Sequence, residues 1–368
     1  MYKRLLYQNG LAILGVVLYH SVGWGFTAMF AWAHRYSPVA SPGVGDVNQV
    51  YYYLMRLIEQ AVVFTIPAFL FVSGFFVAFA AGRSGANLSW KVVGARISGL
   101  LIPYLIWSHL VLLLFSFERS LSLKSYFQVI LTGAADPAFY FIPLLIQFYL
   151  LSPLIVALAR KRWKALLLVA GVIQLMVVGL QYMAALSTPL PVLNLPADLV
   201  PKWFFPSRIF WFTAGVVVGF HLATFKSFLG RFKWVFLGTA AALIPLGMLE
   251  WEVVYRLSGQ LWLDQRELLT DTLYAAAFIL ALLAFDRVRL PLEQALTDLG
   301  ARSFGIYIVH SPVMQVVMRG IYHLFPPLLA YSPLLLLILF AAGLGIPLAA
   351  MSIVNLTPAR RIYAYLFS

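Results

Sequence analysis

The sequence predicts an all-α membrane protein with about ten transmembrane helices. Three observations lead there. Of 368 residues, 62% are hydrophobic and only 11% charged; the apolar runs are long enough to cross a bilayer; and the cationic residues gather between alternate runs. In lipid every backbone polar group must be satisfied within the chain, which helices do. Neither a soluble appendage nor an internal repeat is evident, so residues 1–368 read as a single integral membrane domain. The first apolar run is too long for a cleavable signal. With no cysteine the chain offers no disulfide, no thiol nucleophile and no Cys-ligated metal, and no metal site is expected.

In chain order, spans are expected over 9–32, 55–81, 92–116, 138–159, 164–186, 206–225, 232–250, 267–285, 302–324 and 331–354. If the N-terminus is cytoplasmic, 17 of the 26 Lys and Arg side chains fall inside, among them Lys3, Arg4, Arg83, Arg96, Arg160 and Arg360, against 9 outside. Both termini are therefore expected in the cytoplasm, with the chain in the plasma or inner cell membrane. The net charge of +13 is then an orientation signal and an affinity for anionic lipid; no nucleic-acid partner is expected.

The outer loops, near 33–54, 187–205 and 251–266, carry aromatics and charges of both signs, including Trp251, Trp262 and Arg266. Such rings are either belt anchors or planes for a sugar. Arg56 and Glu59, three apart, meet on one helix face, and Arg208 follows Pro206 at a helix start, where proline suits the first turn. Arg56, Glu59, Arg208 and Trp262 are candidate contacts for a sugar-like ligand at the outer face; structural ion pairs and interfacial anchoring are the alternatives.

The stretch NGLAILGVVLYH, residues 9–20, is an apolar helix with one ionisable residue. Eleven residues place His20 ~16 Å from Asn9 along the axis, near the bilayer midplane. The same count returns to within ~20° of the starting direction, so Asn9 and His20 share a face. An ionisable residue at that depth faces a protein interior or a water-filled cavity, which marks a functional candidate; a hydrogen-bonded core histidine is the alternative. Burial disfavours the charged imidazole, so His20 is expected neutral and able to act as a base. It could take the proton of a hydroxyl nucleophile, with Asn9 and His20 at the two ends of one channel. In SFGIYIVHSP, His310 lies ~12 Å into the ninth span with Tyr307 one turn earlier, and either could polarise a carbonyl. Neither a GxSxG elbow nor an HExxH pair is present, which removes the serine-hydrolase and zinc-peptidase readings.

The blocks NGLAILGVVLYHS, FLFVSGFFVAF, ARISGLLIPYLIW, IQFYLLSPL, FTAGVVVGF and SFGIYIVHSP occur in this order over almost the whole chain. In this the sequence resembles the acyltransferase 3 family of integral membrane acyltransferases. The resemblance implies O- or N-acyl transfer from a cytoplasmic acyl-CoA, expected to be acetyl-CoA, to a glycan or a lipid- or sugar-linked acceptor, as in O-acetylation of a polysaccharide. No permanently bound cofactor is implied. His20 matches the family's first-span histidine, and Tyr307 and His310 match the ninth-span block. The family's first-span arginine is Asn9 here, so the donor's phosphates fall to other cations: Arg4, Arg83 and Arg96 are the candidates beside Asn9. An acidic residue of many relatives is replaced by Ile146. The second reading, kept open by Asn9, is a non-catalytic relative that transports a glycan or lipid.

The charge split makes a topological prediction. Reporter fusions should place both termini inside and the segment around Trp262 outside; a terminus on the outer face would overturn the orientation and the donor side with it.

Overall fold

The structure, a computed structural model, describes residues 2–32, 49–83, 88–114, 122–186, 200–259, 267–286 and 288–367. Among these residues there are helices and turns and no strand. The first helix, α1 (Tyr2–Thr27), runs on into a π-helical turn, Ala28–Trp32. It is followed by α2 (Gln49–Val62), α3 (Thr65–Arg83) and α4 (Trp90–Leu114). A short helix, α5 (Leu123–Thr132), precedes α6 (Phe141–Leu186), α7 (Ile209–Phe220) and α8 (Leu222–Ser258). The chain closes with α9 (Leu269–Ala284), α10 (Glu293–Ala301), α11 (Ser303–Leu324), α12 (Ser332–Leu356) and α13 (Tyr363–Phe367).

Among the described residues six helical segments are long and apolar enough to cross a membrane: 2–30, 50–82, 90–114, 141–186, 222–258 and 332–356. This is fewer than the ten runs read in the sequence, for physical reasons. α6 is 46 residues long, ~69 Å if straight and more than twice a hydrocarbon core, yet counts once. It breaks at Arg162 (φ −140°, ψ 44°), within Arg160-Lys161-Arg162, into two arms each long enough to span. α7 and α9, at 12 and 16 residues, are short. α11 carries His310, Gln315, Arg319 and His323 among its apolar residues. Prolines sit inside α4, α6, α8, α11 and α12, each removing one backbone hydrogen bond and freeing a carbonyl for neighbouring groups.

Two crossings fix the frame around the site. Where α1 meets α10, a Cβ on Gly10 would stand 2.0 Å from the Leu296 carbonyl oxygen, and one on Gly300 1.9 Å from that of Leu6. Where α3 meets α7, a Cβ on Gly74 would stand 2.1 Å from the Phe212 carbonyl oxygen, and one on Gly215 2.0 Å from that of Phe71. Small residues let backbones touch where apolar surface alone gives no drive in lipid. Beside the second crossing the Phe148 and Phe212 rings stack at 4.9 Å. α5 ends at Gly133 in the left-handed region (φ 76°), and the following turn leads inward to α6.

The contacts at α3 and α7 are backbone, so a neighbouring side chain cannot yield. Gly215→Val should cost more than the ~1 to 3 kcal/mol usual for overpacking, read as a large drop in melting temperature in detergent. Gly179→Ala, with open space around it, should leave the melting temperature unchanged or slightly raised; equal losses in both would refute the backbone-contact reading.

Candidate functional site

Two cavities lie along the helix bundle. The first, about 90 Å³, takes Tyr19 and His20 from α1, Arg56, Glu59 and Gln60 from α2, and Tyr307 from α11. Thr65, Tyr140, Arg208, Trp251, Glu267 and Asp271 complete its polar lining. The second, about 270 Å³, is lined by Asn9, Ser73, Arg96, Tyr149, Ser303 and Tyr307, with Phe69, Phe141 and Leu145 among its apolar residues. The helix starts of α1, α4 and α11 bring Asn9, Arg96 and Ser303 to the second cavity. α2, the start of α9 and the far end of α8 build the first.

In the first cavity charges come as pairs. Arg56 and Glu59 form an ion pair, and the Arg56 guanidinium lies 3.8 Å from the centre of the Trp251 ring, a cation–π contact. The Arg208 Nε and Nη2 stand 2.8 Å and 2.6 Å from Glu267 Oε1, and the guanidinium faces the Tyr140 ring at 5.4 Å. Asp271 accepts from Gln60 Nε2 at 2.9 Å and from the Leu268 N–H at 3.0 Å. Glu250 lies behind this group, accepting from the Tyr182 and Thr270 hydroxyls. Buried charges are tolerable when paired and hydrogen-bonded; the two Arg–Glu pairs of this wall meet that need with a counter-charge, and Asp271 meets it with hydrogen bonds from Gln60 and a backbone N–H.

His20 is partly exposed into this cavity. Its ring stands edge-on to Tyr19 at 5.7 Å and 5.1 Å from the ring of His310. His310 is fully buried, its Nδ1 2.6 Å from the Tyr307 carbonyl oxygen. A carbonyl only accepts, so Nδ1 carries the hydrogen and Nε2 is the lone-pair nitrogen; Nε2 has no partner among the described residues. The Tyr307 hydroxyl donates to the Ala138 carbonyl. Both hydrogens expected to polarise a carbonyl are thus committed to backbone oxygens.

The remaining sequence candidates separate. Arg96 lines the second cavity, donating to the Phe76 carbonyl at 3.1 Å and facing the Tyr149 ring at 5.5 Å. Asn9 lines it too. Arg4 lines neither cavity: 3% exposed, it donates to the Phe285 and Val288 carbonyls at 2.9 Å and 2.5 Å, clamping the link between α9 and α10. Its burial follows from the tight α1–α10 crossing, which draws the start of α1 under that link. Arg83 ends α3, its side chain outside the described residues, and Trp262 lies outside them altogether. The single channel from Asn9 to His20 is replaced by two cavities, because aromatic side chains from α3, α6 and α11 fill the space between. Sequence reasoning missed Glu267, Asp271, Gln60 and Tyr140. Glu267 and Asp271, four apart at a helix start, read as capping acids favoured by the helix dipole, and only the fold brings Arg208 and Gln60 to them.

Removing one member of the Arg208–Glu267 pair strands the other. Glu267→Leu should destabilise by ~3 to 5 kcal/mol, while Arg208→Met with Glu267→Leu should recover much of that loss. Chemical unfolding of the single and double variants measures it; a double variant as unstable as the sum of the singles would contradict a buried coupled pair.

Compared with family models, the chain matches that of the acyltransferase 3 domain over residues 10–351. No curated protein and no solved structure gives a match. The match runs from the Gly10 of the α1 crossing nearly to the end of α12 and takes in His20, the SFGIYIVHSP block and the lining of both cavities apart from Asn9, so the chain belongs to the acyltransferase 3 family of membrane acyltransferases.

Proposed function

We propose that the protein transfers an acyl group, acetyl in the simplest case, from a cytoplasmic acyl-CoA to a hydroxyl of an extracytoplasmic glycan or lipid- or sugar-linked acceptor. The observation that carries this reading is the position of His20. It is partly exposed in a cavity rimmed by paired charges and aromatic planes, one side chain away from a second cavity that holds Arg96. The donor is assigned to the Arg96 cavity. Arg96 supplies a cation and Asn9 an amide there, with Arg83 at the end of the neighbouring α3 as a further cation. The acceptor is assigned to the His20 cavity, where Arg56, Glu59, Arg208, Glu267 and Trp251 offer donors, acceptors and a ring face, with Trp262 as a further ring contact.

His20 acts as general base. It takes the hydroxyl proton as the oxygen attacks the acyl carbon; the carbon–sulfur bond breaks, and the proton leaves with the coenzyme A thiol. A positioned imidazole contributes typically ~100- to 10,000-fold. His310 has its lone pair on Nε2 and its ring 5.1 Å from that of His20; an N–H of His20 turned toward it in the reacting state leaves the other His20 nitrogen free as the base. Around this core the proposal includes ten spans, the two arms of α6 and the helices α7, α9 and α11 among them, both termini cytoplasmic, location in the plasma or inner membrane, and anionic lipid against the cationic inner rim. Transport of a glycan or lipid by a non-catalytic relative is the second reading, favoured by one observation: the two cavities lie along the bundle with a thin wall between them.

His20→Gln keeps size and hydrogen bonding but loses the base. It should fold and bind acetyl-CoA as the parent does, with turnover reduced at least 100-fold, and parental turnover should fall as pH drops and the imidazole is protonated. Near-parental turnover in folded His20→Gln would reject the base; acceptor movement across vesicles that survives His20→Gln would establish the transport reading.

A further inference from the structure

On three elements the two cavities draw on neighbouring residues and divide them. α3 gives Thr65 and Ile66 to the His20 cavity but Phe69 and Ser73, one and two turns on, to the Arg96 cavity. At the head of α6, Tyr140 faces the first and Phe141 the second; on α1, Val16 faces the first and Asn9 the second. Among the described residues Tyr307 lines both. Its ring packs 5.4 Å from that of Phe141 and 6.4 Å from that of Phe69, and those two rings are 6.1 Å apart. The partition is one aromatic layer thick.

What holds Tyr307 in that layer is a turn that none of the proposed chemistry uses. Its hydroxyl donates to the carbonyl of Ala138, in the turn between α5 and α6. The turn is in turn fixed by Asp136, 1% exposed, whose Oδ1 accepts the Ala138 N–H at 2.8 Å. The other oxygen, Oδ2, accepts from Gln315 Nε2 at 2.6 Å. Gln315 is on α11 two turns beyond Tyr307, so Asp136 ties the turn to the helix that carries the partition ring. A carboxylate buried at this depth is costly, and fixing Ala138 from both sides, through its own N–H and through α11, is what it does here.

We propose that Asp136 is a positioning residue: through Ala138 and Gln315 it keeps the Tyr307 ring in place as the partition, and so keeps water in the His20 cavity away from the Arg96 cavity. Resting on the function proposed above, this makes Asp136 a determinant of transfer over hydrolysis. A water crossing the partition would put its oxygen on the acyl carbon, break the carbon–sulfur bond and give the free acid and coenzyme A, the thiol taking the proton. Excluding it until the acceptor is seated is the water control that an acyl-transfer site needs; in transfer itself the Tyr307 ring turns aside, so that the acceptor hydroxyl meets the acyl carbon.

The absence of native cysteine makes the partition directly testable. Ser73→Cys places a single thiol in the Arg96 cavity, and sealed vesicles of known orientation are treated with a small membrane-impermeant cationic thiosulfonate from either face. With Asp136 intact, labelling is expected from one face alone. Asp136→Ala should admit labelling from the opposite face at least 10-fold faster than the parent. Asp136→Asn should restore the one-sided pattern, because the amide oxygen still accepts from Ala138 and the Gln315 amide can turn to face the amide nitrogen. Should Asp136→Ala not fold, Tyr307→Phe, which removes only the hydroxyl tether, is read in the same way. Labelling from both faces in the parent, or one-sided labelling in a folded Asp136→Ala or Tyr307→Phe protein, overturns the proposal. Acetyl-CoA hydrolysis without acceptor supplies the second readout, with about a 10-fold rise expected in Asp136→Ala. No hydrolysis in any variant contradicts the acyl-CoA reading and with it the hydrolysis role, while the labelling pattern still decides the partition.

Discussion

Ionisable groups inside an apolar helix bundle must find partners or a wet cavity, and the layout of this protein depends on that constraint. A charge left alone there costs several kcal/mol, so every deep charge discussed above has a partner. Arg56 is held by Glu59, Arg208 by Glu267, and Asp271 by Gln60 and a backbone N–H. Arginines without a carboxylate turn to carbonyls: Arg4 to Phe285 and Val288, Arg96 to Phe76, Arg160 to Ala81. The two solutions fall in different places. Carboxylate pairs surround the His20 cavity, and carbonyl-bound arginines cluster by the starts of α1 and α4 and the break in α6. The first surface is charged but locally neutralised, which fits the proposed hydroxyl-rich acceptor; in the second cavity Arg96 is held by a carbonyl and keeps its full charge, which fits the proposed phosphate-bearing donor.

Close backbone packing makes this sorting possible. The glycine crossings of α1 with α10 and of α3 with α7 bring α1, α3 and α11 near enough for residues one turn apart to line different cavities. Had Gly74 or Gly215 carried a side chain, α3 would stand off from α7, and Phe69 could not meet Phe141 and Tyr307 in a single layer. The proposed histidine chemistry, in this arrangement, rests on helix contacts some way from the histidine.

Features carried by local spacing were legible in the sequence. Arg56 and Glu59 pair because they are three apart on one helix, and His20 is recognisable as the one ionisable residue in the apolar stretch from Gly10 to His20. Features made by distant contacts were not. Arg208 was visible beside Pro206, but its partner is 59 residues away. Arg4 read as a free cation near the terminus, whereas carbonyls more than 280 residues along the chain enclose it. Tyr307 and His310 were found by their depth, but the commitment of their hydrogens to Ala138 and Tyr307 carbonyls depends on side-chain rotamers that no helical periodicity specifies. The continuous channel from Asn9 to His20 was sound as single-helix geometry and gave way because three other elements place aromatics across it.

The central claim is that donor and base approach one another from opposite sides of a single aromatic layer, which opens at Tyr307 only for the attack. Electron cryo-microscopy of the protein with a non-hydrolysable thioether analogue of acetyl-CoA tests it most directly. The pantetheine arm should run past Asn9, Arg96 and Tyr149 and bring the acyl end to Phe69, Phe141 and Tyr307, across the layer from His20. Density for the analogue among Arg56, Arg208 and Trp251 instead, with the Arg96 cavity empty, would contradict the assignment of both cavities.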